Sequence, residues 1–306
     1  MNYLVAIVGP TATGKSHLAL LLAKAFSGEI VSADSRQVYR HMDIGTAKPG
    51  RDELALVPHH MIDVVNPDDD FSLAQYQHLA QRVIADVQGR EKAVFLVGGS
   101  GLYVWSVLEG WGIPSVPPDA EFRRHLEERA AAGEDDELYG ELGRADPAAA
   151  QGIDPRNVRR VIRALEVSHH AAAPFSRLRQ KQGQVSGALI IGLTANREEL
   201  YRRVDLRVDR MVERGLVEEV RRLVRRGYGF DLPAMSGIGY KQIGMFLRGE
   251  ASLDSAVQQI KFATHRFVRQ QYNWFKLNDE RIKWFDIMGD GVETEIAREV
   301  DGFLSA

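Results

Sequence analysis

The 306-residue chain reads as an α/β protein, a doubly wound and mostly parallel sheet carrying an inserted helical subdomain. Three observations predict this. Short apolar runs alternate with helical periodicity through roughly the first hundred residues. A glycine-rich loop joins the first apolar run to the first helix. The middle of the chain, after a proline-rich break, loses strand character altogether.

The first strand is YLVAIV at 3–8, a continuous apolar run of the kind buried on both faces. GPTATGKS follows, then a helix whose Leu18, Leu21, Leu22 and Ala25 are expected on one face. EIVSA at 29–33 is a second buried strand and ends at Asp34. Ser72 to Val87 reads as a helix, and AVFLV at 93–97 is a third strand running into Gly98-Gly99-Ser100. In such sheets ligands lie at the carboxyl ends of the strands, where the glycine loop, Asp34 and Ser100 all fall. PSVPP at 114–118 is a breaker-rich linker. From Asp119 to about His170 the pattern is helical, with acidic and alanine-rich stretches. GALIIGLT at 187–194 resumes the sheet, Arg197 to Arg226 is amphipathic, Leu253 to Lys276 is a further helix, and RIKWF at 281–285 is a last strand. The expected division is an α/β core at 1–114 and 187–306 around a helical insert at 115–186.

Composition narrows the function classes. At 44% hydrophobic and 26% charged the chain is of ordinary globular type, and no apolar run approaches the ~20 residues that span a bilayer. The first strand starts at once with no basic leader, so a cytoplasmic location is expected. With no cysteine, disulfide frameworks and thiolate zinc sites are excluded. The nine histidines do not group at metal-ligand spacing, so no zinc site is expected. A net charge of −3 argues against a nucleic-acid partner unless the basic residues are segregated into patches.

Gly9-Pro10-Thr11-Ala12-Thr13-Gly14-Lys15-Ser16 fits G-x-x-x-x-G-K-[ST] in full, after a strand and before a helix, which makes the core P-loop NTPase-like. Its backbone N–H groups and the helix N-terminus favour phosphate oxygens, Lys15 neutralises the outer phosphate and the Ser16 hydroxyl ligates Mg²⁺. Most such loops hold ATP or GTP. An ATPase of this class places a second metal-binding acid at the end of a buried strand, whereas AVFLV runs into glycines with none. That absence suggests a diphosphate whose chemistry is not hydrolysis. Asp34 stands where an acceptor would face the phosphates and can take a proton from it; it can equally cap the turn that follows. In DPRNVRRVIRALEV, Asp154 and Pro155 are start signals, so Arg156, Arg159, Arg160 and Arg163 line one helical face and Val158, Ile162 and Leu165 the other. Such a stripe is a solvated face or a phosphate-tracking surface. Lys261, His265 and Arg269 repeat at four-residue spacing on the late helix, with Ile260, Ala263, Phe267 and Trp274 expected in the core.

Taken together, GPTATGKS, DSRQVYRHMDIGTAKP, GGSGLY, RALEV and the closing WF resemble the tRNA dimethylallyltransferase (tRNA isopentenyltransferase) family, in order and over nearly the whole chain. The resemblance implies transfer of a dimethylallyl group from dimethylallyl diphosphate to the exocyclic amine of the adenosine 3′ of the anticodon, with Mg²⁺ and release of diphosphate. It implies that Asp34 orients the amine and takes its proton and that Ser100 helps position the base. Ser35, Arg36 and Gln37 would touch the RNA beside it; Arg123 and the run Arg159, Arg160, Val161, Ile162 and Arg163 would grip the anticodon stem-loop. Arg207 would join the loop, residues 9–16, on the diphosphate. The chain departs from the family pattern at His41, where glycine is expected, at Ser100 and Asn273, where threonine is, and at Gln270, where arginine is. Ser100 keeps the hydroxyl; Gln270 removes a cation. A monomer is expected. Two rivals remain from the residues alone, a small-molecule kinase on the same scaffold and a nucleotide-dependent RNA-binding module.

Overall fold

A computed structural model describes residues 3–113, 119–171, 175–178 and 187–306, the last two of the 175–178 segment as backbone only. PSVPP lies outside the described residues. The chain forms two compact units, one of Met1–Leu108 with Val185–Ala306 and one of Glu109–Gln184. The first boundary falls six residues before the expected one. The reason is a core helix, Gly101–Leu108, whose side chains are buried almost without exception and which ends where the first unit ends.

The first unit begins β1 (Leu4–Val8), α1 (Lys15–Ala25), β2 (Glu29–Ser32), α2 (Arg51–Leu56), β3 (His59–His60), α3 (Leu73–Gly89), β4 (Val94–Val97) and α4 (Gly101–Leu108). The second unit holds α5 (Ala120–Ala131), α6 (Asp135–Ala145), α7 (Pro147–Gln151), α8 (Val158–His170) and α9 (Phe175–Leu178). The first unit resumes with β5 (Ala188–Thr194), α10 (Arg197–Glu213), α11 (Leu216–Arg225), a short 3₁₀ turn at Ala234–Ser236, α12 (Tyr240–Leu247), α13 (Leu253–Trp274), β6 (Ile282–Asp286) and α14 (Val292–Leu304).

The sheet has the order β3-β2-β4-β1-β5-β6, and every pairing is parallel. Central β1 aligns Ile7 with Val97 of β4 and with Ile191 of β5, so all five of its residues are buried. One face packs on α1 and α14 through Val5, Ile7, Leu18, Leu22, Phe95, Ile191, Ile296 and Val300. The buried side of α1 is Leu18, Ala19, Leu22 and Ala23, while Leu21 is 41% exposed and Ala25 lies outside. LALLLA is apolar all round, so its pattern names no face. The expected long amphipathic region divides at Gly215, which sits at φ 96° and starts α11.

The basic stripe on α13 runs along α10, with Lys261 and His265 half-buried against it and Arg269 exposed at its edge. Lys261 pairs with Asp209 at 2.7 Å, His265 with Asp205 at 2.8 Å, and Arg269 donates to the Tyr201 hydroxyl at 2.6 Å, all on α10. Of the four side chains expected in the core, Ile260 is buried, whereas Phe267 and Trp274 are 36% and 40% exposed.

The helical unit has its own core of Leu126, Leu138, Leu142, Ile153, Val161, Ile162 and Leu165. Asn157 caps α8, so the helix starts three residues later than Asp154-Pro155 suggests, and Arg156 lies outside it, paired with Asp154.

Candidate active site

The phosphate loop follows β1 at the carboxyl edge of the sheet. Gly9 has φ 133°, and a Cβ there would stand 2.3 Å from the Leu193 carbonyl oxygen of β5, so position 9 excludes side chains twice over. Gly14, at φ 83°, caps α1 and turns the helix N-terminus toward the loop. The Thr13 hydroxyl and the Lys15 ammonium both donate to the Pro10 carbonyl, at 2.9 and 2.6 Å. Lys15 is thus folded back on its own loop.

A cavity of about 800 Å³, its open mouth included, lies against this loop and is lined among others by Thr11, Lys15, Ser16, Asp34, Ser100 and Arg207. Its electrostatics are unbalanced. Burial, then the Arg207 guanidinium, push the Lys15 ammonium down to about 7, with Asp34 pulling the other way. Burial likewise lowers Arg207, and Asp34 opposes it. Neither cation has an ion pair among the described residues. Of the two carboxylates in the cavity lining, Glu53 accepts the Gly50 N–H at 2.7 Å and only Asp34 acts on these cations, so the loop side of the site is short of negative charge, which a phosphate chain supplies.

Asp34 stands two residues beyond β2, and its Oδ1 accepts the Arg36 backbone N–H at 2.8 Å. The turn-capping role is therefore present, and it fixes the carboxylate in the cavity wall while Oδ2 makes no hydrogen bond among the described residues. From the end of neighbouring β4, the Ser100 hydroxyl accepts the Ser35 N–H at 3.0 Å and donates to the Ser35 hydroxyl at 3.2 Å. Arg36 donates to the carbonyls of Pro233 and Ala234. Gln37 accepts from Ser32 and donates to the carbonyls of Thr46 and Ala47. The side chains of Ser35, Arg36 and Gln37 thus brace the turn that carries Asp34.

Three residues of this site escape local sequence reading. Gln271 on α13 is 3% exposed; its Oε1 accepts the Thr11 N–H at 2.8 Å and its Nε2 donates to the Gly99 carbonyl at 3.1 Å. Glu219 on α11 accepts the N–H groups of Asp43, Ile44 and Gly45 and the Tyr240 hydroxyl, so the MDIGT stretch is a backbone nest filled by the protein's own carboxylate. The signal for both was a polar residue on an apolar stripe. Gln271 follows Ile260 and Val268 on α13, and Glu219 stands with Leu216, Val220 and Leu223 on α11. The third, Phe267, lines the cavity instead of the core. Within the same region His41 has φ 67°, the left-handed conformation that favours glycine, which accounts for the glycine expected there.

In the helical unit the expected basic run separates into different environments. Val161 and Ile162 are 1% and 4% exposed, so as core side chains they support the surface of α8 and do not form it. Burial alone would raise the carboxyl of fully buried Glu166, yet Arg123 and Arg163 together hold it below the usual range. Arg159 and Arg160 make no ion pair among the described residues, and Arg159 is exposed.

Among the described residues no three histidine or acidic side chains group as a metal site. The oxygen donor placed for a cation is the Ser16 hydroxyl, at the first turn of α1 and in the cavity wall. That donor set suits Mg²⁺, a hard ion that keeps waters and takes phosphate oxygens rather than an all-protein cage. No described helix is long and apolar enough to cross a membrane.

A family model described as IPP transferase matches residues 37–278. The chain is 48% identical to a tRNA dimethylallyltransferase of Herpetosiphon aurantiacus over 99% of its own length and 94% of that protein's. It is 47% identical to a tRNA dimethylallyltransferase of Thermomicrobium roseum over 98% of its own length and 91% of that protein's. Among solved structures, the full-length tRNA isopentenylpyrophosphate transferase of Bacillus halodurans superposes with a TM-score of 0.74 at 39% identity, covering 100% of this chain and 97% of that one. A eukaryotic dimethylallyltransferase acting on tRNA shares the fold with a TM-score of 0.82 at 24% identity, covering 98% of this chain and 78% of that one. The fold so matched is P-loop NTPase-like.

Proposed function

The chain belongs to the IPP transferase family of tRNA dimethylallyltransferases, and from that membership and the cavity's geometry we propose that it moves a dimethylallyl group from dimethylallyl diphosphate to the exocyclic amine of the adenosine 3′-adjacent to the anticodon in tRNA. The observation that carries this reading is the meeting of two cations without an ion pair among the described residues, Lys15 and Arg207, with one turn-fixed carboxylate, Asp34, in a single cavity. The cations suit a leaving diphosphate. The carboxylate suits an amine that must lose a proton as it reacts.

In the reaction, the amine nitrogen attacks the allylic carbon, the carbon–oxygen bond to diphosphate breaks, and the bonding pair leaves with the diphosphate. The amine is a poor base, so its proton goes to Asp34 Oδ2 as the new bond forms, a transfer typically worth ~10²- to 10⁴-fold. Oδ1 stays on the Arg36 N–H and keeps the carboxylate aimed. Lys15, released from the Pro10 carbonyl, and Arg207 take up the charge that develops on the leaving group, together with the loop amides that follow Thr11. Ser16, together with phosphate oxygens, would hold Mg²⁺, which would supply further neutralisation of that charge. Ser100, with Ser35, sets the wall against which the base is placed. A stacked base cannot enter such a cavity, so the adenosine is flipped out of the anticodon loop, and the exposed Phe267 ring offers it a stacking face. Arg159 and Arg160, with Arg123 and Arg163 behind them, hold the stem-loop phosphates. The same reading makes the protein a cytoplasmic enzyme working as a monomer.

The test is to incubate the protein with unmodified tRNA and either labelled dimethylallyl diphosphate or labelled ATP. Transfer of the prenyl label to the adenosine beside the anticodon is expected. Movement of the ATP phosphate instead would make it a kinase, and binding without transfer of either label an RNA-binding module.

A further inference from the structure

Gln271 is a buried amide that the chemistry just described does not use. It stands where the sheet's own hydrogen bonding stops: the last backbone bond between the ends of β1 and β4 is Gly98 N–H to the Ile7 carbonyl, 3.2 Å. One residue further along β4 and four along β1, the Gln271 amide lies between the two loops as a peptide unit would. Its oxygen accepts from Thr11 and its nitrogen donates to Gly99. Gly99 is what lets it in, since a Cβ at that position would stand 2.2 Å from Nε2.

Each loop so tied carries one half of the reaction. Thr11 belongs to the loop that cradles the diphosphate. Gly99 leads directly to Ser100, whose hydroxyl holds the Ser35 N–H next to Asp34. A continuous series of bonds, Thr11 to Gln271 to Gly99 and on through Ser100 and Ser35, therefore links the leaving-group side of the cavity to the acceptor side. The tie also commits the Thr11 N–H to the protein, so this amide anchors the loop and the later amides remain for the anion.

We propose that Gln271 is a positioning residue whose side-chain amide sets the gap between the diphosphate and the amine-orienting pair Asp34 and Ser100. The inference rests on the transfer reading. Only a primary amide places an acceptor and a donor side by side on one rigid plane. Glutamine reaches both loops; asparagine, one methylene shorter, cannot bond both without drawing them together. Reaction rates respond steeply to such shifts, a misplacement of about 1 Å costing up to roughly 100-fold.

The experiment compares wild type with Gln271→Asn and Gln271→Met by kcat, KM for each substrate, and hydrogen exchange at the Thr11 amide, below the melting temperature of each. Expected are a kcat lower by roughly 10- to 100-fold in both variants, KM values within about 3-fold of wild type, and faster exchange at Thr11. Folded variants that keep the wild-type kcat would overturn the inference, even if they melt earlier, because Gln271 would then be a structural tie only. A rise in KM for dimethylallyl diphosphate with kcat intact would overturn it too and place Gln271 among the binding groups. Wild type that transfers no label refutes the transfer reading itself, and the inference with it, which is a different result from active wild type and equally active variants.

Discussion

Lys15 gives the site a pH signature that can be worked out before any turnover is measured. In the free cavity burial and Arg207 hold its ammonium down to about 7. A bound diphosphate brings negative charge to the ammonium and returns it to or above the ordinary range near 10.5. Only the protonated form binds the anion well, so affinity follows the protonated fraction of the free protein, which falls from about one half at pH 7 to about one hundredth at pH 9. The expected loss of affinity over that interval is roughly 50-fold, about 2.3 kcal/mol. The assay is calorimetric titration with an alkyl diphosphate, whose last ionisation near pH 6 leaves its charge constant over the range, in buffers of different ionisation enthalpy. Close to one proton should be taken up per ligand at pH 9 and about half a proton at pH 7. Lys15→Gln should bind weakly and without the slope. In the ligand-free protein the sign reverses: a lysine whose pKa is depressed on folding leaves the unfolded chain binding more protons between pH 7 and 10.5, so its contribution to stability improves as pH rises through that window. An affinity that stays level from pH 7 to 9, with no proton uptake, would refute the reasoning and mean that Lys15 is charged in the free cavity.

Asp34→Asn keeps the Oδ1 acceptor for the Arg36 N–H, so the turn, tRNA binding and diphosphate binding should persist while single-turnover transfer falls by ~10²- to 10⁴-fold; transfer at the wild-type rate counts against Asp34 as the base. Replacing Arg159 and Arg160 by Gln should lower the log–log salt slope of tRNA binding by ~0.7 to 0.9 for each phosphate no longer neutralised, with diphosphate affinity unchanged; an unaltered slope leaves the pair as a solvated surface. Arg163 is spared in that variant because it and Arg123 answer the buried Glu166 carboxylate. His41→Gly should stabilise the protein by about 0.5 to 1 kcal/mol, the left-handed penalty less the entropy that glycine adds to the unfolded chain, read as a higher urea midpoint; a lower midpoint would show that the His41 side chain stabilises the fold by more than its backbone strain costs.

What could be read from the residues was what is decided locally. The phosphate loop was legible because the turn from β1 into α1 needs glycine at 9 and 14 whatever lies around it. Strands β1, β2, β4 and β5 were legible because burial on both faces leaves little but apolar side chains. β3 was not, being two histidines at a sheet edge. The stripe Lys261, His265 and Arg269 looks the same whether it faces water or the acidic side of another helix, and the groups that settle it lie on α10, 52 to 68 residues earlier in the chain. Gln271 and Glu219 show the same limit from the other side. Each was visible as a polar residue in an apolar stripe, but the backbone groups it binds are 172 to 260 residues away and only the folded chain names them.

Those separations also bear on how the protein comes off the ribosome. The first 108 residues carry β1 to β4, the phosphate loop, Asp34 and Ser100, so most of the chemistry emerges early. Yet β1 lacks its β5 neighbour until the helical unit has been made, the nest at 43–45 stays empty until Glu219 appears, and Thr11 waits 260 residues for Gln271. At 5 to 20 residues per second the wait for Gln271 is roughly 13 to 50 s. A nascent chain in that interval holds the anion site without its counterpart in place. Arg207 also belongs to the later half, so an early encounter with diphosphate finds a single lysine and is brief. Competence therefore arrives late and together, when the synthesis of α13 closes the two halves of the site upon each other.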